Sequence, residues 1–378
     1  MAIREIMQKF GKKQEKCRFL YLVGQLRAGG LERQLVYLLQ TLDQKSYFPK
    51  VIVWNFNEND FYVPKILDLG VEVLPLPRGL GPIGKLLAFL KIVRDLNPEV
   101  IHSYSFYTNF PAYLGEFVSN AVAIGAMRSD FTNEVKMAGF FLGRLCARWP
   151  NVHISNNVRA GEEIKKRRGP FLPQNLYIVR NGLSLKKFNV QELPISPKGQ
   201  ILAIGSLLPV KRWDRLLETA TELKRRGHKF LIRLVGDGPL REDLVQKSRA
   251  LGVFDCIEFL GHCDNIPELL ASSHFLVHTS DREGCPNVIM EAMACGRAVV
   301  ATDTGDIPLL VDQGETGFVI SGEDPSAFWE RMECLLNDYE LCRKMGQVAR
   351  IKAEEKFGLD RLFLETTTAY RAAGWKGY

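Results

Sequence analysis

Long hydrophobic runs are missing from this sequence of 378 residues. No uninterrupted apolar stretch approaches the roughly 20 residues that a membrane-spanning helix requires. The segment at residues 1–16 also lacks the continuous apolar core of a signal peptide. Both absences argue against a membrane-spanning or exported protein, and the expected location is the cytoplasm.

Closely spaced cysteines are missing as well. The eight cysteines are scattered, none forms a C-x-x-C pair, and most lie in apolar segments. Disulfide frameworks and structural zinc sites depend on regular spacing. We therefore expect reduced cysteines in the protein interior and no structural zinc site.

Charge is present but unevenly distributed. Residues 1–188 hold 27 Lys and Arg against 15 Asp and Glu, a net charge of +12, whereas the remainder holds 23 against 28, a net charge of −5. The first half therefore faces either an anionic partner, such as a membrane surface or an acidic substrate, or only solvent.

Short apolar segments alternate with helical patterns along the whole chain. Continuous apolar strands separated by helices indicate a parallel sheet covered on both faces. The predicted fold is therefore α/β, with two doubly wound domains. The predicted strands lie at 17–23, 50–56, 71–76, 100–105, 121–127 and 151–155 in the first domain, and at 201–207, 230–236, 257–261, 275–280 and 298–303 in the second.

A non-periodic stretch rich in Pro, Gly and polar residues at 183–200 has the composition of a linker. It predicts domains at 1–188 and 189–357, followed by a last helix at about 358–378.

Two glycine-rich loops follow predicted strands and lead into helices. One contains Gly24, Gly29 and Gly30, and the other begins with Gly236. Such loops allow backbone amides and the positive end of a helix to approach a phosphate. The first loop is not G-x-G-x-x-G, so it does not support a nicotinamide or flavin site. Taken alone, either loop is equally an ordinary turn.

The most specific stretch is 280–296, in which Glu283 lies in a loop after a strand and Glu291 in the apolar helix that follows. A carboxylate in such surroundings is costly unless it is hydrogen-bonded, and the vicinal hydroxyls of a sugar or ribose are suitable donors. Lys211 and Arg212 follow another strand and have the charge to neutralise a diphosphate. Surface positions for both glutamates remain the alternative.

At these residues the sequence resembles the retaining glycosyltransferases of family 4. The segment from Glu283 to Glu291 resembles the E-x7-E element of that family. Further segments match in the same order, at 29–33, 179–182 with Phe188, 203–207 with Lys211, 305–308 and 314–317. The resemblance covers most of the chain and is strongest from 180 to 320.

The resemblance implies a GT-B fold with two Rossmann-like domains and a cleft, in which the second domain binds the donor nucleotide sugar and the first binds the acceptor. The last helix is expected to pack back on the first domain. Glu291 would hold the ribose hydroxyls, Glu283 the donor sugar and Lys211 the diphosphate. Retention without an enzyme nucleophile and without a bound metal or other cofactor is also implied.

The sequence departs from the family pattern at two positions. Ser206 stands where many members have Arg, and Arg128 where many have a His that faces the donor. Arg212 or Arg128 would then supply the missing charge. The predicted catalytic residues are Glu283, Arg128 and His102, although a lone buried His is more often a packing residue. The predicted donor site comprises Gly29, Gly30, Ser206, Lys211, Arg212, Gly236, Gly284, Cys285, Pro286, Asn287, Val288 and Glu291.

The first half also contains features typical of peripheral membrane proteins. Ala2, Ile3, Ile6, Met7 and Phe10 share one helical face, 82–96 is amphipathic, and 165–168 is a basic cluster. They suit attachment to an anionic cytoplasmic membrane face and a lipid-linked acceptor. The helix at 82–96 equally suits packing on the sheet. No nucleic-acid-binding motif accompanies the charge.

The predicted function is transfer of a hexose-type sugar from a nucleoside diphosphate sugar, UDP by family frequency, to a glycan or lipid-linked acceptor in cell-surface polysaccharide or glycolipid synthesis. One alternative is a nucleotide-sugar 2-epimerase of the same fold, which needs no acceptor. The other is a non-enzymatic sugar-binding protein with two α/β domains, although such proteins are normally exported.

Overall fold

The computed structural model describes residues 18–128 and 131–377. The chain divides into two compact units: the first holds the residues up to Arg180 and those from Leu362, and the second is Asn181–Arg361. The predicted end of the first domain is residue 188. Residues 181–188 group with the second unit because Leu183 N donates to Phe357 O at 2.7 Å, and Arg350 donates to Phe188 O at 2.7 Å.

The first unit is built on a seven-stranded parallel sheet in the order β3-β2-β1-β4-β5-β6-β7. Its strands are β1 (Phe19–Val23), β2 (Lys50–Val53), β3 (Glu72–Pro75), β4 (Val100–Ser103), β5 (Val122–Met127), β6 (Val152–Ser155) and β7 (Asn175–Ile178). The strand order reverses between β1 and β4, where Tyr21 pairs with His102. In open α/β sheets ligands bind at the carboxyl ends of the strands beside such a switch point.

Helices cover both faces of this sheet. They are α1 (Gly30–Thr41), α2 (Gln44–Tyr47), α3 (Val63–Leu67), α4 (Pro82–Leu96), α5 (Asn109–Gly115), α6 (Phe131–Ala138), α7 (Phe140–Arg148) and α8 (Val158–Lys166), with a short 3-10 helix at Phe106–Thr108. On one face, Phe89 and Val93 of α4 pack with Ile101 of the sheet in a buried apolar cluster. The helix at 82–96 therefore packs on the sheet, which is one of the two interpretations given for it above.

The second unit contains a six-stranded parallel sheet in the order β10-β9-β8-β11-β12-β13. Its strands are β8 (Gly199–Ile204), β9 (Phe230–Val235), β10 (Ile257–Gly261), β11 (Phe275–His278), β12 (Ala298–Thr302) and β13 (Gly317–Ile320). Here the order reverses between β8 and β11, so the loops that follow these two strands are neighbours.

The helices of the second unit are α9 (Trp213–Arg225), α10 (Arg241–Ala250), α11 (Ile266–Ala271), α12 (Asn287–Ala294), α13 (Ile307–Leu310), α14 (Pro325–Asn337) and α15 (Tyr339–Lys356), with short 3-10 helices at Pro209–Lys211 and Phe254–Cys256. In the core of this unit, strand residues such as Val277 pack with Trp213 of α9 and Met332 of α14.

The chain ends in α16 (Leu359–Ala372). Beyond Leu362 this helix belongs to the first unit. The ring of Phe19 in β1 lies 5.3 Å from Tyr370 and 5.1 Å from Trp375, centroid to centroid. Trp375 Nε1 also donates to Glu99 at 3.0 Å. None of the helices in the described ranges is long and apolar enough to cross a membrane.

The eleven predicted strands all occur, with ends shifted by a few residues, but β7 and β13 were not predicted. Both have only four residues. The side chains of β7 are partly exposed, as is usual at the edge of a sheet. Such short segments leave little periodicity to recognise.

Candidate functional site

The switch point of the second unit brings Lys211 beside the loop that carries Glu283. Lys211 ends the 3-10 helix after β8. Its carbonyl accepts the Thr279 hydroxyl at 2.7 Å, and Asp281 N donates to Val210 O at 2.9 Å. The loops that follow β8 and β11 are therefore held together by hydrogen bonds.

Two basic side chains contact the Glu283 carboxylate. Lys211 Nζ lies 2.5 Å from Oε1, and Nε2 of the buried His278 lies 3.1 Å from the same oxygen. Burial alone raises the pKa of Glu283, but His278 and Lys211 outweigh burial and lower the pKa to about 2. Glu283 is therefore ionised at neutral pH.

His278 was not singled out from the sequence. It is the last residue of β11, and its side chain is 1% exposed. Its position at the carboxyl end of a strand, next to the loop of Glu283, was the available signal.

Glu291 lies in the middle of α12 and is 1% exposed. The start of this helix is fixed by Asn181, whose Nδ2 donates to Asn287 Oδ1 at 2.8 Å and to Cys285 O at 2.9 Å. Cys285, Pro286 and Asn287 are buried, whereas Gly284 and Val288 are partly exposed. Asp306 N donates to Gly284 O at 2.9 Å, which ties the loop to the segment after β12.

Arg212 is already bound by two carboxylates. Its guanidinium donates to Asp214 at 2.9 Å and to Asp281 at 3.0 Å, and these hydrogen bonds raise its pKa above the ordinary value. Ser206 is exposed, and its carbonyl accepts Trp213 Nε1 at 3.0 Å. Of the two cations predicted for a diphosphate, Lys211 is thus the one that faces Glu283.

Gly236 joins the loops after β8 and β9. Its φ of 134° is in the region that favours glycine, and a Cβ there would collide with the carbonyl of Gly205. Leu207 N donates to Asp237 O at 2.9 Å. The predicted role of Gly236 towards a phosphate stays a prediction, and its packing role is sufficient reason for a glycine.

The glycine loop of the first unit surrounds a buried acid. Gly29 is the N-cap of α1, which begins at Gly30, and the carboxylate of Glu32 folds back beneath Gly29. Burial raises the pKa of Glu32 to about 7, and Asp60 adds to the effect. Glu32 is part of the segment at 29–33 that carried the resemblance, but no titratable role was predicted for it.

His102 and Arg128 lie in the first unit. His102 is 1% exposed, and its Nδ1 is 2.7 Å from the hydroxyl of Tyr370 in α16. Burial, with the charge of Arg128, lowers the pKa of His102 well below its ordinary value. Arg128 follows β5, and its guanidinium lies 4.5 Å from the ring centre of Tyr104. This placement favours a packing role for His102, and the catalytic roles of both residues stay predictions.

Comparison with known proteins bears most directly on the second unit. Residues 186–352 match the family described as Glycosyl transferases group 1. The chain is 33% identical over 201 residues to N-acetyl-alpha-D-glucosaminyl L-malate synthase of Bacillus anthracis, covering 53% of this chain and 51% of that protein. It is 28% identical over 246 residues to D-inositol 3-phosphate glycosyltransferase of Streptomyces bingchenggensis, covering 60% and 53%. The matched parts thus span about half the length of these relatives.

The fold recurs in solved structures along nearly the whole chain. Anabaena HepE, in complex with UDP and glucose, has a TM-score of 0.78 and 18% identity, with 94% of this chain and all of that chain covered. Sucrose-phosphate synthase of Thermosynechococcus elongatus has a TM-score of 0.77 and 18% identity, with 94% and 98% covered. The predicted GT-B fold, made of two Rossmann-like α/β domains, is confirmed.

Proposed function

Since residues 186–352 match the glycosyl transferases group 1 family, we propose that the protein is a glycosyltransferase whose donor is a nucleoside diphosphate sugar. One observation supports this most directly: Lys211, Glu283 and His278 meet at the switch point of the unit that matches the family. A cation beside a buried carboxylate suits a ligand with both phosphates and hydroxyls.

In the proposed donor complex, Lys211 binds the diphosphate and Glu283 accepts a hydrogen bond from a sugar hydroxyl. The ionised state of Glu283 suits an acceptor of hydrogen bonds. Glu291 is proposed to hold the ribose hydroxyls. Lys211 then stabilises the negative charge that develops on the departing diphosphate, which is a large term in such transfers.

Transfer is proposed to proceed with retention, as in the family that the sequence resembles. The bond from the anomeric carbon to the diphosphate oxygen breaks while the acceptor oxygen bonds to the same face of that carbon. The departing phosphate takes the acceptor proton, so no enzyme nucleophile is needed. We propose that no bound metal takes part, and an unchanged rate after treatment with EDTA would support this.

The donor is proposed to be a UDP-sugar. The structure of HepE with UDP supports this choice. Thermal shift with UDP-, GDP-, ADP- and dTDP-sugars tests it on the wild type and two variants. One variant is Glu291→Gln. The other, Glu330→Gln, is a matched control, because Glu330 is exposed on α14. We expect UDP-sugars to stabilise the wild type and the control but not Glu291→Gln. Equal stabilisation of all three proteins would contradict the placement of the ribose, and no stabilisation of the wild type by any sugar would contradict the proposed function.

The acceptor is proposed to be a glycan or a lipid-linked saccharide. Nucleotide release that depends on an added acceptor, such as a membrane extract, would separate transfer from 2-epimerisation. Release at the same rate without any acceptor would favour hydrolysis over transfer.

We also propose that the first unit attaches to an anionic membrane face. The apolar corner, defined as Met137, Phe140 and Phe141 where α6 meets α7, is strongly exposed, with Met137 83% and Phe141 80% exposed. Arg144 lies 3.8 Å from the ring centre of Phe140. Exposed aromatic side chains beside cations are typical of membrane-binding surfaces. The predicted face at Ala2–Phe10 lies outside the described residues.

A further inference from the structure

The first unit contains a cavity of about 420 Å³ that the proposed donor site does not use. It opens at the carboxyl ends of β2 and β3, where the chain continues as 54–57 and 76–80, and it reaches the loop after β1 and the first turn of α4. Its volume is within the range of ordinary ligand sites. It lies at the carboxyl ends of the parallel strands, the edge of the sheet at which α/β proteins bind ligands.

The charged side chains of this cavity all have the same sign. Arg27, Arg78 and Lys85 line it, and no acidic side chain does. Arg27 is exposed and forms a long ion pair with Asp60, with 3.9 Å from Nε to Oδ1. Within 18–128 and 131–377, Arg78 forms no ion pair, and Lys85 donates to the neutral amide of Asn55 at 2.7 Å. Among the described residues, Arg78 and Lys85 thus face the cavity without a paired carboxylate, which favours an oxyanion.

The floor of the cavity is fixed by hydrogen bonds. Asn55 accepts from Lys85 and, through Nδ2, donates to the Tyr107 hydroxyl at 3.2 Å. That hydroxyl lies so close to Gly24 that a Cβ there would collide with it. Burial raises the pKa of Tyr107, so its hydroxyl keeps its proton at neutral pH. The hydrogen bond to Asn55 orients Lys85 towards the cavity, and such pre-organisation lowers the entropic cost of binding.

We propose that this cavity binds an oxyanion group, phosphate or carboxylate, of the sugar acceptor. That the ligand is the sugar acceptor rests on the proposed function, whereas binding of an oxyanion does not. Arg78 and Lys85 bind the oxyanion, and the aromatic side chains of Trp54 and Phe56, which also line the cavity, contact the apolar part of the same molecule.

Calorimetric titration tests the proposal with glycerol phosphate and succinate as free oxyanions and with a short-chain polyprenyl phosphate in detergent as the lipid-linked source. The proteins are the wild type, Arg78→Gln/Lys85→Gln and the control Lys91→Gln, whose lysine is exposed on α4 but does not line the cavity. We expect at least one probe to bind, with an affinity that falls about tenfold or more in the double variant and is unchanged in the control. The probe that binds best shows whether the oxyanion belongs to a free molecule or to a lipid-linked one.

Equal affinity in the wild type and the double variant, an equal loss in Lys91→Gln, or no binding of any probe would overturn the proposal. Thermal shift with the donor, measured on the same three proteins, separates this result from the proposed function. Unchanged stabilisation by the donor in the double variant supports an acceptor site, and a parallel loss of donor binding would overturn it. If no donor binds the wild type while the oxyanion still binds, the oxyanion site stands and the glycosyltransferase assignment falls.

Discussion

At the scale of single residues, the charge on Glu283 is set by two neighbours, one at the end of β11 and one in the 3-10 helix after β8. Lys211 and His278 lower its pKa to about 2 although the carboxylate is mostly buried. Without a donor, Lys211 and Glu283 neutralise each other at 2.5 Å. A diphosphate would compete with this carboxylate for the lysine, while the carboxylate stays ionised for hydrogen bonds with the sugar.

Removing Lys211 tests this arrangement. The variant Lys211→Met is expected to bind UDP about 10- to 100-fold more weakly, the loss typical of a charge-assisted hydrogen bond. Lys211→Arg keeps the charge and should recover part of the affinity. Isothermal titration calorimetry measures both, with Lys229→Met, an exposed lysine just before β9, as control. An affinity for UDP that is the same in Lys211→Met and the wild type would rule out contact with the diphosphate.

Glu32 is expected to make the free energy of unfolding depend on pH. Its pKa is raised from 4.5 to about 7 by burial, so the folded state binds this proton more tightly than the unfolded state. The resulting stability is complete below pH 4.5 and is lost as pH rises through 7, by at most about 3 kcal/mol. Glu32→Gln carries no such proton and should lose less stability than the wild type between pH 5 and pH 8.

Denaturant unfolding at pH 5 and pH 8 measures this difference, with the exposed Glu58→Gln as control. If the wild type and Glu32→Gln lose the same free energy of unfolding between the two pH values, Glu32 has an ordinary pKa in the folded protein.

At the scale of elements, the buried Arg297 fixes the turn between α12 and β12. Its side chain is 1% exposed and donates hydrogen bonds to backbone carbonyls only. The accepting residues are Gln191, Glu192, Leu270, Ala271 and Gly296. Residues 191–192 belong to the predicted linker, so one side chain connects the linker to α11 and to the end of α12.

Substitution of Arg297 by Met is expected to lower the free energy of unfolding by about 2 to 4 kcal/mol. The methionine fills much of the space but leaves several buried carbonyls without donors, and each unsatisfied group is costly. Chemical denaturation measures the change, with Arg331→Met on the exposed face of α14 as control. A loss no larger than that of the control would show that water satisfies these carbonyls equally well.

At the scale of the whole molecule, the basic first half and the acidic second half predict that membrane attachment depends on salt. The wild type should sediment with anionic vesicles at 10 mM salt and be released at 150 mM, because the screening length falls from about 30 Å to about 8 Å. Phe140→Ser/Phe141→Ser should weaken vesicle binding about tenfold or more, since the variant lacks the two exposed aromatic side chains that the membrane would bury. Ile351→Ser, at a residue 57% exposed in the second unit, is the control.

Equal sedimentation of all three proteins would exclude the apolar corner as the contact surface. Binding to neutral vesicles that is insensitive to salt would contradict the electrostatic part of the proposal.

The sequence by itself determined the features that depend on neighbouring residues. Continuous apolar strands and amphipathic helices follow from local periodicity, so the two doubly wound domains, the apolar helix that carries Glu291 and the last helix were predictable. The segment from Glu283 to Glu291 also lies within one loop and one helix, which is why it was visible without a structure.

Tertiary structure alone decided which groups face each other. Lys211 and Glu283 are 72 residues apart in the chain, and only the strand order that makes β8 and β11 neighbours brings them together. The same holds for Arg212, whose partner Asp281 follows β11, and for Lys85 and Asn55 in the first unit. Burial and pairing set the charge of such groups, and both depend on contacts between distant segments that no local pattern records.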